Sequence, residues 1–123
     1  MDDKAFQLIQ SNKINVLRVD NLLSEYKNRE ILTVAQDAID AGFTKFVVDL
    51  DGMLYTNSVG LNFLISLQAR CQDREGMVVI ANASKKIIQL LEITKLQPLF
   101  HLTDSVKAGL LLINKTKKQE DPG

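Results

Sequence analysis

The sequence predicts one α/β domain, with a mixed β-sheet made of an N-terminal antiparallel hairpin plus parallel strands, packed with about four α-helices. Three observations predict it. The runs Phe43–Leu50 and Met77–Ala81 are rich in β-branched and apolar residues without clean alternation, as strands covered on both faces are. Around them lie stretches whose apolar residues recur at three- and four-residue steps, the mark of helices with a buried face. The length, 123 residues with 46% hydrophobic content, suits one core and is too short for two domains of ordinary size.

In chain order, Ala5–Gln10 and Ile14–Asp20 read as two strands joined by a tight turn at Ser11-Asn12-Lys13. Leu22–Tyr26 carries no decisive pattern. Ile31, Val34, Ala35, Ala38 and Ile39 share a helix face, and Gly42 closes that helix. After the central strand, Gly52, Thr56 and Asn57 make a loop. Ser58–Gln72 then forms a helix with Leu61, Leu64, Ile65, Gln68 and Cys71 on its inward face. Asp73–Gly76 breaks it before the Met77–Ala81 strand, and this strand-helix-strand unit implies parallel pairing. Ser84 caps a helix over Lys85–Glu92 that stops near Thr94. Leu99–Leu102 is a brief strand after Pro98, and Asp104 or Ser105 caps a last helix that turns Val106, Leu110 and Ile113 inward. The domain is thus expected over 1–113, with a flexible polar tail over 114–123.

Composition removes several function classes. Lysine plus arginine equals aspartate plus glutamate at 15 each, so no overall field draws the chain to nucleic acid or to an anionic membrane. Apolar runs are only a handful of residues long, and Met1-Asp2-Asp3-Lys4 lacks the basic-then-apolar order of a secretory signal. A cytoplasmic protein without membrane insertion is expected. One cysteine, Cys71, and one histidine, His101, give neither an internal disulfide nor a zinc cluster, and no cofactor is implied. Cys71 falls on the inward helix face and reads as a small apolar residue.

The stretch Asp49–Cys71, DLDGMLYTNSVGLNFLISLQARC, supports two incompatible readings. Asp49 and Asp51, two apart at a strand end, resemble the opening motif of haloacid-dehalogenase-type phosphotransferases, in which the first aspartate attacks phosphorus and the second handles the leaving-group proton. Met53 stands where that family usually has threonine, and the downstream acidic pair is missing, so a magnesium ion would have too few hard ligands. The bland alternative makes Asp49 a polar strand-end residue and Asp51 a turn residue.

In the other reading Ser58 is a hydroxyl presented at the start of a helix. The segment VVDLDGMLYTNSVGL, Val47–Leu61, resembles the STAS domain family of bacterial anti-sigma factor antagonists, in which a strand ending near Asp-Leu leads through a loop to Asp-Ser-x-Gly-Leu. A second segment, LLEITKLQPLFHLTDSVKAGL, Leu90–Leu110, is similar to the family's later Leu-Leu-x-x-Thr-Gly-Leu, Leu-Phe and Asp-Ser-Val pattern, in the right order. Asn57 replaces the usual aspartate, and Lys95 stands where a glycine often ends the helix.

The resemblance implies a non-enzymatic, phosphorylation-dependent interaction switch. Ser58 would be phosphorylated by a serine kinase that is also an anti-sigma factor, unmodified protein would bind that kinase and free the sigma factor, and a PP2C-type phosphatase would reset the switch. A helix start offers free amides and a positive dipole end to a phosphate. Retaining the fold without phosphorylation gives a binding module of a partner-switching or transporter complex, while Asn57 or Ser58 as a mere N-cap is the bland reading. Helical geometry puts Val59, Asn62, Phe63 and Ser66 on the side opposite Leu61, Leu64 and Cys71, so with Asn57 and Ser58 they are the expected partner-binding residues. An outward Phe63 would be a natural anchor; otherwise a neighbouring loop covers it.

Overall fold

The structure, a computed structural model, describes residues 6–120. Strands β1 (Phe6–Ser11) and β2 (Ile14–Val19) form the expected hairpin, pairing Phe6 with Val19 and Ser11 with Ile14. Asn12 and Lys13 both have positive φ, 52° and 67°, as a two-residue turn matching the twist of its strands requires. Ala5, expected to open the first strand, lies outside the described residues. Helix α1 (Glu25–Asp40) begins in the stretch whose pattern was indecisive, because Ser24 is its N-cap and accepts from Lys27 N. Strands β3 (Lys45–Asp49), β4 (Met77–Ala81) and β5 (His101–Thr103) add in parallel to β2, and the sheet order is β1-β2-β3-β4-β5.

That strictly sequential order decides where the helices lie. Right-handed crossovers that always step in one direction put their helices on one face of the sheet. Helices α1, α2 (Ser58–Gln72) and α3 (Lys85–Ile93) accordingly bury Leu17, Phe46, Val48, Val78 and Ile80 in the larger core. Helix α4 (Val106–Glu120) follows the last strand and covers the other face, over Ile14, Val47, Val79 and Ala81. It lies close to the sheet because Gly109 has no side chain: a Cβ there would sit 3.1 Å from Val47 Cγ1. Asn15, fully buried on β2, donates to the carbonyls of Phe43 and Lys45 and so ties the hairpin to the start of β3.

Two boundaries and one buried face differ from the sequence reading. The brief strand expected over Leu99–Leu102 is displaced to His101–Thr103, since Pro98 sits in a 3₁₀ turn, Gln97–Leu99, where its missing N–H costs nothing. Helix α4 continues to Glu120 instead of ending at Ile113: Asn114 to Glu120 contains no glycine or proline, and the first breaker is Pro122. Of the expected tail, only 121–123 fall outside the described residues. On α2 the buried set is Gly60, Leu61, Phe63, Leu64, Leu67 and Cys71, while Ile65 and Gln68 are only half-buried. The helix packs against both β4 and α1, so its burial spreads beyond one stripe.

Lys95, in the position often held by glycine, nevertheless adopts the left-handed conformation, φ 62°, and its N–H bonds to Glu92 O. A side chain in that region costs roughly 1–2 kcal/mol, part of which glycine returns through its freer unfolded state. Lys95→Gly is therefore expected to stabilise the protein by about 0.5–1 kcal/mol, read as a rise in the urea midpoint at unchanged slope. A lowered midpoint would mean that the lysine side chain makes a contact worth more than its backbone strain.

Candidate functional site

The site is built where β3 ends. Asp49 is largely buried: its Oδ1 accepts from Asp51 N (3.0 Å) and Asn82 Nδ2 (2.9 Å), and its Oδ2 lies 3.9 Å from Arg18 Nη1. Arg18 also approaches Asp51 at 4.0 Å and Asp20 at 3.6 Å. This carboxylate fastens the loop after β3 to β2 and β4, and its oxygens point into the protein's own donors. The sequential sheet order also lacks the switch point at which open α/β sheets form their ligand crevice. Asp49 thus serves as a strand-end residue that ties down the loop, and Asp51, largely exposed, as a residue of the turn after β3, as the bland alternative has it. Among the described residues no group of three or more His, Cys, Asp or Glu is placed to hold a metal ion. Burial pushes the Cys71 thiol up to about 12, so it is a protonated core residue at neutral pH.

From Asp49 the chain crosses to α2. Met53 and Thr56 are buried, whereas Leu54 and Tyr55 between them are exposed, Leu54 at 77%. Ser84 pins this loop by donating from Oγ to Leu54 O at 2.8 Å while accepting from Ile87 N as the cap of α3. Asn57 is the N-cap of α2, and its Oδ1 accepts from Val59 N (3.0 Å) and Gly60 N (3.3 Å). Ser58 is thereby the first helical residue and is exposed to solvent. Of the amides that a helix start offers to a phosphate, the cap already engages those of Val59 and Gly60.

Gly60 lets this turn seat itself. A Cβ on it would fall almost on Thr56 Oγ1 and 3.2 Å from Leu22 Cβ, so α2 starts in direct contact with the loops after β2 and β3. Asn28 of α1, buried, secures the same junction by donating from Nδ2 to Leu22 O (2.9 Å) and to Val59 O (3.4 Å).

Helices α1 and α2 enclose a groove of about 210 Å³. Its α2 wall is Val59, Asn62, Phe63 and Ser66, so the structure brings together four of the residues expected to meet a partner. Phe63 itself departs from that expectation. It is 2% exposed, belongs to the larger core, and lines the groove facing residues of α1 in place of forming a protruding anchor. The exposed large apolar side chains on these loops and helix starts are Leu23, Tyr26, Leu54 and Tyr55. The α1 wall, Glu25, Asn28, Arg29 and Leu32, was missed by sequence reasoning. One signal was present: Asn28 lies on the same stripe as Ile31, Ala35 and Ala38, a polar residue at a core position.

Residues 5–109 match the profile of the STAS domain, and the chain belongs to that family. Similar solved structures include a candidate anti-sigma factor antagonist from Thermotoga maritima, with a TM-score of 0.80 at 14% identity over 89% of this chain and 94% of that one. Another is the anti-sigma factor antagonist SpoIIAA in its unphosphorylated form, with a TM-score of 0.72 at 18% identity over 85% and 92%. The fold also aligns with SLC26A9, with a TM-score of 0.71 at 12% identity, over 91% of this chain but 21% of that one. Among the described residues, no helix is long and apolar enough to cross a membrane.

Proposed function

We propose that this STAS domain is a non-enzymatic anti-sigma factor antagonist, switched by phosphorylation of Ser58. The observation that carries the reading is an exposed hydroxyl on the first residue of α2, flanked by an apolar-floored groove and by exposed Leu23, Tyr26, Leu54 and Tyr55. Unmodified, this surface docks a serine kinase that doubles as an anti-sigma factor, with Asn57, Ser58, Val59, Asn62 and Ser66 at the contact and Phe63 beneath it. The kinase then moves the γ-phosphoryl group of ATP onto Ser58 Oγ. The bond to ADP breaks, the hydroxyl proton is lost, and the added charge of roughly −1.5 to −2 weakens the complex. A PP2C-type phosphatase hydrolyses the ester and restores the docking form.

Incubation with the kinase and ATP, followed by mass spectrometry, is expected to place one phosphate on Ser58 and none on the Ser58→Ala protein. Modification elsewhere, or none, overturns the switch. The second reading, a STAS binding module that is never phosphorylated, is favoured by Asn57: the neutral amide caps the helix without the negative charge that the family usually sets beside its serine. It predicts that Ser58→Ala binds the partner as wild type does, and that no phosphate is found.

A further inference from the structure

We infer that a phosphate on Ser58 is captured by Arg29 across the groove between α1 and α2, and that this bridge closes the groove to the partner. The inference rests on Ser58 being the phosphoacceptor and concerns what the phosphate then does.

Ser58, Asn62 and Ser66 follow one another at four-residue steps, so they run down one stripe of α2, with Cβ atoms about 5–6 Å apart. Asn62 and Ser66 line the groove together with Val59, and Ser58, next to Val59, precedes Asn62 by one turn on the same stripe. Asn57 Oδ1 already occupies the amides of Val59 and Gly60, so the helix start offers the new charge little beyond Ser58's own N–H. A phosphate there seeks another donor.

The nearby cations differ in availability. Arg18 already faces Asp20, Asp49 and Asp51. Lys27 is exposed on α1 but does not line the groove. Arg29 does line it, on the wall opposite Asn62, is exposed, and has no side-chain hydrogen bond or ion pair among the described residues. The other charged residue lining the groove is Glu25, one turn earlier on α1. A single carboxylate competes poorly for a guanidinium with a nearly doubly charged phosphate, whose oxygens accept the planar fork in two parallel bonds. The arginine laid across the mouth would cover the floor of Val59, Leu32 and Phe63. Release of the partner then follows from one side-chain movement, with the backbone unchanged.

The test installs phosphoserine at position 58 during translation in the full chain, so that it does not depend on any kinase. The phosphate is then titrated by ³¹P NMR. The second ionisation in the wild-type background is expected about one pH unit below that in Arg29→Gln, as an opposite charge alongside an acid requires. Lys27→Gln should titrate with wild type, and Arg29→Lys should fall between. Coincident curves for wild type and Arg29→Gln overturn the bridge. A kinase that ignores Ser58 removes the proposed function without altering this titration, and a kinase that modifies Ser58 in a protein whose phosphate ignores Arg29 removes the bridge alone.

Discussion

Replacing Phe63 by alanine is expected to destabilise the protein by about 3–5 kcal/mol, the usual range for removing a fully buried aromatic ring. For a chain of this size that corresponds to a fall in Tm of the order of 10–25 °C. The ring is among the largest fully buried side chains, and it joins the core that also holds Leu61, Leu64 and Leu67. Truncation leaves a void beneath the groove that α1 and α2 cannot close without shifting Asn28, whose bonds to Leu22 O and Val59 O fix their separation at that end. Phe63→Leu keeps much of the volume and should cost about 1–1.5 kcal/mol. Urea and thermal unfolding followed by circular dichroism measure both. A surface anchor would behave in the opposite way, losing partner affinity at unchanged Tm, and a loss below about 1 kcal/mol for the alanine variant would place the ring outside the core.

The contrast marks where sequence reading stops. The bounds of β4 and α2 and most of β3 could be read directly, because unbroken apolar runs need cover on both faces and Asn57-Ser58 supplies a helix start with free polar oxygens. The exposed hydroxyl followed from the same local rule. Periodicity, however, locates one apolar stripe per helix, and α2 has two neighbours, β4 and α1. Phe63 lies off the first stripe, so periodicity alone leaves open whether its ring protrudes or is covered. The α1 wall of the groove was illegible for a related reason: Asn28 meets Val59 across 31 residues of chain, through the packing of two helices that each look self-sufficient alone. The polarity of residues 114–120 suggests fraying, yet α4 runs on to Glu120. Lysine, threonine and glutamine in that stretch stop no helix.

Gly60→Ala is a sharper test, since two physical effects oppose each other and only the sign is needed. In an exposed helix interior alanine is favoured over glycine by about 1 kcal/mol. At position 60 the new methyl would overlap Thr56 Oγ1 and lie 3.1 Å from Thr56 Cβ and 3.2 Å from Leu22 Cβ. Thr56 and Leu22 are both buried, at 1% and 0%, so neither can swing into solvent, and overpacking costs about 1–3 kcal/mol, here toward the upper end because the methyl overlaps another atom, which outweighs the propensity gain. The variant is thus expected to unfold at a lower urea concentration than wild type. Among the described residues Thr56 Oγ1 has no hydrogen-bond partner, so Thr56→Ala removes the obstructing atom at small cost, and the double variant should recover part of the loss. Because the same contact seats the first turn of α2, the proposed function predicts that Gly60→Ala also slows phosphorylation of Ser58 under conditions where the protein remains folded, and that relief by Thr56→Ala appears in both measurements together. A Gly60→Ala protein as stable as wild type would mean that the start of α2 is held less tightly than this geometry requires, and the fixed presentation of Ser58 would lose its physical basis.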